Sequence, residues 1–171
     1  MKIGISGPVN IDKFCKILNL DKDKYLEKIK EFVSDLAKSD NEIVIVPHKN
    51  STAHIIAQEY KKNNGKKIIS IIPKEDDEFG LSWMDLDIHD ELVNSKTWRN
   101  VPEELDTTSD ILIAFGLGAG TLVEIGQTKW FKVDKIYIVK DFISQKLPSE
   151  SVRDLNVKYL SLDEIKKNIF K

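Results

Sequence analysis

The sequence has one cysteine, little net charge and no long apolar run. With only Cys15 among 171 residues, an intramolecular disulfide and a zinc site built from cysteines are excluded. Lysine and arginine (26) nearly balance aspartate and glutamate (28), so the chain lacks the basic character typical of nucleic-acid-binding proteins. No apolar run approaches the length that spans a membrane, and residues 1–7 are too short for a signal peptide. We therefore expect a cytoplasmic protein without nucleic-acid or membrane partners.

The residues that commonly hold metals and cofactors are sparse and poorly spaced. His48, His54 and His89 show no metal-ligand spacing, and we expect His54, on a helix, to be structural. The acidic run at residues 75–78 lacks the regular spacing of a calcium loop and predicts a solvated loop. No lysine has a context suited to a Schiff base with pyridoxal phosphate. We expect neither a metal nor a cofactor.

Apolar runs of strand length alternate with amphipathic helical patterns along the chain. The expected strands are residues 2–6, 42–46, 67–72, 86–93, 111–115, 135–139 and 156–160. This alternation predicts an α/β fold with a doubly wound, mostly parallel, Rossmann-like sheet flanked by helices. A length of 171 residues fits one domain over residues 1–171.

Residues 109–126 combine a buried strand, a glycine-rich loop and the start of a helix. The loop allows a sharp turn and a close approach of the backbone to a ligand. Its candidate ligand-binding residues are Gly116, Gly118, Ala119 and Gly120. Free N–H groups at the start of the following helix favour a phosphate or a hydroxyl-rich ligand.

Thr121 and Glu124 follow this loop directly. Thr121 is expected to cap the helix, with Glu124 in its first turn. A carboxylate repels phosphate, so we expect Glu124 to lie beside a sugar hydroxyl or a developing positive charge. The alternative is that Glu124 only complements the helix dipole and that the glycines serve packing.

The ends of the first and second strands carry further candidates. Gly7 and Pro8 form either a ligand loop or a plain turn. The loop after the second strand comprises His48, Lys49, Asn50 and Ser51. Asn50 or Ser51 is the expected cap of the next helix, and Lys49 is either a phosphate partner or a surface lysine. Since parallel strands end at one edge of a sheet, we expect these loops and the glycine loop to converge there.

Arg99 stands beside Trp98, upstream of the glycine loop. An arginine in this place suits a clamp on phosphate or carboxylate. It is equally compatible with a surface guanidinium lying over an aromatic ring.

Residues 116–124, Gly-Leu-Gly-Ala-Gly-Thr-Leu-Val-Glu, resemble the PGGxGTxxE signature of the "Lonely guy" (LOG) proteins of the SLOG superfamily. Residues 1–8, 43–73 and 98–101 are similar to other segments of that family. Members are Rossmann-like proteins once labelled possible lysine decarboxylases, and characterised members are nucleoside 5'-monophosphate phosphoribohydrolases. The resemblance implies a catalytic pair of Glu124 and Arg99, and a homodimer with helices next to the site at its interface.

Three functions remain open at this point. The first is hydrolysis of the N-glycosidic bond of a nucleoside 5'-monophosphate or a related nucleotide, with a nucleotide or a phosphorylated sugar as the expected small-molecule ligand. The second is a nucleoside deoxyribosyltransferase-like reaction, because residues 124–126 are similar to the Glu-[Ile/Leu]-Gly of that family. The third is a non-catalytic module that senses a nucleotide or another small ligand. The third is favoured by two departures from the LOG pattern, at residues 116–117 and at residues 47–51, where the family has a second glycine loop.

Overall fold

A computed structural model describes residues 1–74 and 80–170, and within these ranges seven strands form one parallel sheet with helices on both faces. The strands are β1 (Lys2–Ser6), β2 (Glu42–Ile45), β3 (Ile68–Pro73), β4 (Glu91–Ser95), β5 (Ile111–Ala114), β6 (Lys135–Val139) and β7 (Val157–Leu160). The helices are α1 (Ile11–Leu18), α2 (Lys22–Ala37), α3 (Thr52–Lys62), α4 (Val101–Thr108), α5 (Ala119–Gln127), α6 (Ser149–Val152) and α7 (Leu162–Ile169). Short 3-10 turns lie at Trp98–Asn100, Thr128–Trp130 and Lys140–Phe142. The predicted α/β, Rossmann-like fold is confirmed.

The sheet has the strand order β4-β3-β2-β1-β5-β6-β7, and every neighbouring pair is parallel. Ile3 of β1 pairs with Ile43 of β2 on one side and with Ile111 of β5 on the other. The chain thus builds outward from β1 to β4 and returns to place β5 beside β1. A sheet whose strand order reverses in this way leaves a crevice at the carboxyl ends of the two central strands.

Two apolar layers cover the two faces of the sheet. Helices α1, α2, α3 and α7 pack on the face that carries Ile3 and Ile5, and α4 and α5 pack on the face that carries Leu112 and Ala114. The central strands are continuous apolar runs because both of their faces are covered. The helix after β1 and the helix after β5 therefore leave the sheet on opposite faces. Of the helices described, none is both long and apolar enough to cross a membrane.

Most element boundaries lie within one or two residues of the sequence-based expectation, and two differ by more or change the position of a site residue. β4 begins at Glu91 rather than at residue 86, because the preceding loop binds the β2–α3 loop instead. There the Lys49 N–H donates to the Trp83 carbonyl at 2.7 Å, and the Asp85 N–H donates to the Pro47 carbonyl at 2.8 Å. The acidic run at residues 75–78 lies outside the described residues.

The other boundary is the start of α5. Gly118 is its N-cap, in an extended conformation, so Thr121 is the third helical residue rather than the cap. Glu124 consequently lies in the second turn rather than the first. In contrast, Ser51 caps α3 as one of the two expected residues, with its hydroxyl accepting from the His54 N–H at 3.1 Å.

Candidate functional site

A pocket of about 470 Å³ lies at the crevice between the carboxyl ends of β1 and β5. Its walls are mainly apolar and come from α1, from the turn before α4 with the start of α4 itself, and from the loop after β5. The apolar side chains of these walls are Phe14, Ile17, Trp98, Val101, Pro102 and Leu117. This volume and lining fit a site for a small molecule that has an apolar or aromatic part.

Three polar side chains, Ser6, Thr121 and Glu124, meet in this pocket. Ser6 Oγ lies 2.8 Å from Thr121 Oγ1 and also within hydrogen-bond distance of Glu124 Oε2. Ser6 has a single hydroxyl proton, so it donates to one of these two oxygens at a time. When Glu124 is ionised, its carboxylate is the stronger acceptor. When Glu124 is protonated, it can donate to Ser6, which then donates to Thr121.

Burial raises the pKa of Glu124 to about 7, and the hydrogen bond from Ser6 opposes this rise. Its side chain is only partly exposed and lines the pocket. Near neutral pH the group therefore exists in both protonation states. A carboxyl with this pKa suits proton transfer to or from a ligand.

Asp106 is a second carboxyl with an unusual environment. It lies on α4, is fully buried, and neither of its oxygens has a hydrogen-bond partner among the described residues. Burial, and secondarily the negative charge of Glu124, raise the pKa of Asp106 to about 8. Asp106 carries no signal of a functional site in the sequence, because an acid on a short helix normally predicts an exposed side chain.

The start of α5 borders the pocket. Ala119, Gly120 and Thr121 all line it, and no side chain caps the helix at Gly118. A Cβ atom added at Gly118 or Gly120 would meet no atom within 4 Å. The first N–H groups of a helix have no partner within it, so they can bind an anion or a hydroxyl here.

Buried hydroxyl groups join the three loops at the strand ends. The Tyr25 hydroxyl donates to the Phe115 carbonyl at 3.0 Å and lies 2.9 Å from Thr52 Oγ1. The Thr52 N–H and hydroxyl both donate to the Pro8 carbonyl, at 3.0 and 3.2 Å. These bonds hold the loop after β1, the start of α3 and the end of β5 together beneath the pocket.

Nine of the predicted site residues line the pocket. They are Gly7, Pro8, His48, Ser51, Gly118, Ala119, Gly120, Thr121 and Glu124. Ser6 and Trp98 join them without having been predicted as ligand-binding residues. Ser6 could have been found by its position as the last residue of a strand that ends at a glycine.

The other four predicted residues do not line the pocket. The Lys49 ammonium donates to the Ser82 carbonyl at 3.0 Å. The Asn50 N–H donates to His54 Nδ1 at 3.2 Å, and Asn50 has a positive φ of 64°. Arg99 is exposed on the turn that also carries Trp98.

Gly116 is the fourth of these residues, and it has a φ of 131°. A Cβ atom there would lie 2.5 Å from Phe14 Cζ. The space beside the Gly116 Cα is therefore filled by Phe14 and Pro8, and not left open for a ligand.

One wall of the pocket rests on a row of aromatic rings. Trp83 lies between His48 and Trp98, with ring centroids 5.0 and 5.5 Å apart. The loop that carries Trp83 is held by Asp85, whose carboxylate lies 2.8 Å from Nε2 of the buried His54. This hydrogen bond lowers the pKa of Asp85. Through it, His54 of α3 holds the loop that carries Trp83, which is a structural role.

Charge and metal-binding capacity in the pocket are low. Of the described lining residues, Lys13 is the one with a permanent positive charge. No group of three or more histidine, cysteine, aspartate or glutamate residues within residues 1–74 and 80–170 could hold a metal ion.

No protein-family model matches the chain, and no curated protein matches it in sequence. Solved structures do match it in fold. The molybdenum cofactor binding protein of Rippkaea orientalis has a TM-score of 0.69 and 18% identity, over 99% of this chain and 97% of that chain. The molybdenum cofactor carrier protein of Chlamydomonas reinhardtii has a TM-score of 0.67 and 17% identity, over 99% of this chain and 98% of that chain. At these identities the likeness establishes the fold alone.

Proposed function

We propose that the pocket binds a nucleoside 5'-monophosphate or a related phosphorylated ligand, and that Glu124 promotes cleavage of its N-glycosidic bond. The observation that carries this proposal is the position of Glu124. Its partly buried carboxyl accepts a hydrogen bond from Ser6 and lines the pocket. The start of α5, which has no side-chain cap, lines the same pocket. The resemblance of residues 116–124 to the LOG signature supports the same assignment, with this chain as a divergent member.

The lining suggests how such a ligand lies. A planar base fits the apolar wall that includes Trp98 and Val101, since aromatic rings pack favourably on such surfaces. A phosphate or ribose hydroxyl fits the N–H groups at the start of α5. Lys13, on α1, supplies a positive charge to the lining.

The proposed reaction uses both protonation states of Glu124. Breaking the bond between ribose and base builds positive charge on the sugar, as in glycoside hydrolysis, and an ionised Glu124 stabilises that charge. Water adds to the anomeric carbon and gives a proton to Glu124, while the base leaves with the bonding electron pair and takes up a proton from solvent; Glu124 then releases its proton to solvent. Arg99, on the turn beside Trp98, is the proposed partner of the phosphate or of the leaving base.

The test is a screen of the purified protein against nucleoside monophosphates, nucleosides and sugar phosphates. Calorimetry measures binding, and chromatography measures the free base. We expect Glu124→Gln to retain ligand binding while base release falls by about 100-fold or more, because its amide cannot exchange a proton. Glu103→Gln, at an exposed acid on α4, is the matched control and should release base at the wild-type rate.

Unchanged base release in Glu124→Gln would refute the assignment of Glu124. Exchange of one base for another without net hydrolysis would instead support a deoxyribosyltransferase-like reaction, in which Glu124 attacks the anomeric carbon.

A ligand carrier without turnover is the second candidate. The observation in its favour is that Arg99 and Lys49, the two predicted cations, do not line a pocket whose walls are mainly apolar. The solved structures from Rippkaea orientalis and Chlamydomonas reinhardtii are described as proteins that bind or carry the molybdenum cofactor. Tight binding of a nucleotide or of that cofactor, with no product after long incubation, would favour this function.

A further inference from the structure

Two carboxyl groups lie on the packed helices α4 and α5. Glu124, on α5, lines the pocket, whereas Asp106, on α4, does not. Asp106 follows the pocket-lining residue Pro102 by four positions, so the two residues share one face of α4. Asp106 therefore lies one helical turn below the pocket wall.

The surroundings of Asp106 disfavour its charged form. Its side chain is 0% exposed, and both of its oxygens lack a hydrogen-bond partner within the described ranges. Its neighbours on α4, Val101 and Leu105, belong to the apolar layer, as does Ile125 of α5. An ionised carboxylate in such a place is strongly disfavoured unless it is paired, so the neutral acid is favoured.

Glu124 is the charged group that acts on Asp106. The charged residues on the elements packed against α4 are Lys2, Glu42, Glu91, Arg99 and Glu124. Of these described groups, Glu124 is the one whose charge affects Asp106, and it disfavours the ionisation of Asp106. No cation among them compensates the carboxyl of Asp106.

We propose that Asp106 and Glu124 act as one carboxyl pair, in which Glu124, beside the pocket and Ser6, ionises first, while burial of Asp106 and then the charge of Glu124 keep the proton on Asp106. Asp106 is a positioning residue in this pair, because it does not reach the pocket. Its neutral state leaves one negative charge behind the ligand instead of two. In a site for a phosphorylated ligand, a second charge would repel the phosphate.

The protonation order is tested on the ligand-free protein. Carbon-13 labelling of the aspartate and glutamate carboxyls allows each titration to be followed by NMR from about pH 4 to about pH 10. We expect two late steps in the wild type, Glu124 below Asp106. Asp106→Asn should remove the upper step and keep the lower one. Glu124→Gln should move the Asp106 midpoint down by about one pH unit, because Asp106 then ionises without a neighbouring charge.

Two controls make the result decisive. Glu103→Gln, at an exposed position on the same helix, should leave both late steps in place. If Asp106→Asn does not fold, as judged by circular dichroism, the shift of the Asp106 midpoint in Glu124→Gln alone decides. An Asp106 that titrates in the ordinary range of aspartate, or a midpoint that is unchanged in Glu124→Gln, would overturn the proposal.

The pair also predicts how ligand affinity depends on pH. This prediction rests on the proposed function, whereas the titration of the two carboxyls does not. If a phosphorylated ligand binds, its affinity in the wild type should fall above about pH 8, where Asp106 ionises. This fall should be absent in Asp106→Asn. If the two coupled titration steps are observed but no nucleotide is hydrolysed, the carboxyl pair is supported and only the proposed reaction is refuted.

Discussion

At the scale of single residues, Gly116 shows how one missing side chain shapes the pocket. Its φ of 131° lies in a region that favours glycine, and a Cβ atom would come within 2.5 Å of Phe14 Cζ and 3.3 Å of Pro8 Cδ. The absence of a side chain thus lets the chain turn after β5 and lets the ring of Phe14 close against it. Phe14 and Pro8 in turn form part of the pocket lining.

Replacing Gly116 by alanine should therefore destabilise the protein. We expect a loss of about 2–4 kcal/mol in the free energy of unfolding, because backbone strain and a steric clash act together. Urea unfolding measures this change. Gly126→Ala is the matched control: a Cβ there meets no atom within 4 Å, and alanine in a helix should stabilise by up to about 1 kcal/mol. Equal stabilities of the two variants would contradict this interpretation of Gly116.

At the scale of elements, the start of α5 is the part of the fold best suited to hold a ligand. Gly118 caps the helix without a side-chain hydrogen bond, and the next residues line the pocket. Thr121 does not cap the helix but lies 2.8 Å from Ser6 Oγ across the crevice. The start of α5 thus has two roles. Its first N–H groups have no partner within the helix, and Thr121 contacts Ser6, whose hydroxyl binds Glu124.

Small side chains at the start of α5 should block the ligand while leaving the protein folded. Gly118 and Gly120 line the pocket, and a methyl group added at either residue would meet no protein atom within 4 Å. We expect Gly118→Ala and Gly120→Ala each to weaken ligand binding by about tenfold or more, at about 1.4 kcal/mol per tenfold, with a loss of stability of no more than about 1 kcal/mol. Calorimetry of the best ligand from the screen, with Gly126→Ala as the control, measures this. Undiminished affinity in both variants would show that the ligand binds elsewhere.

At the scale of the whole molecule, the reversal of strand order decides where the site lies. Ser6 and Glu124 are 118 positions apart in the sequence and are brought together because β5 returns beside β1. α5 and the turn that follows it also present a face with exposed apolar side chains. Leu122, Val123 and Trp130 are exposed there, and Trp130 is 73% exposed.

We expect this face to join two copies of the chain in the homodimer that the LOG resemblance implies. An apolar surface that includes a tryptophan is typical of interfaces. Leu122→Asp should convert the dimer to a monomer, as measured by light scattering coupled to gel filtration. Leu92→Asp, at a similarly exposed leucine on the edge strand β4, should leave the mass unchanged. A wild-type monomer at all concentrations tested would exclude the homodimer.

The fold was predictable because its signals are local. Apolar runs and helical periodicity reflect the burial of each segment, so the strands at residues 2–6 and 135–139 were predicted with their observed bounds. Boundaries failed where another loop competed for hydrogen bonds, as at β4. The start of α5 was misplaced because Gly118 caps a helix through its backbone conformation, without a side chain that the sequence could reveal.

The sequence by itself determined the fold class and the contiguous glycine loop with Glu124, because strand periodicity and a local motif need no partner from elsewhere in the chain. Only the tertiary structure decided which residues face the pocket. It placed Ser6 against Glu124, directed the Lys49 ammonium to Ser82 and left Arg99 on the exposed side of its turn. It also buried Asp106 on α4, the helix that packs against the helix carrying Glu124. The protonation of a carboxyl depends on its burial and on charges from other helices, and neither is a property of the local sequence.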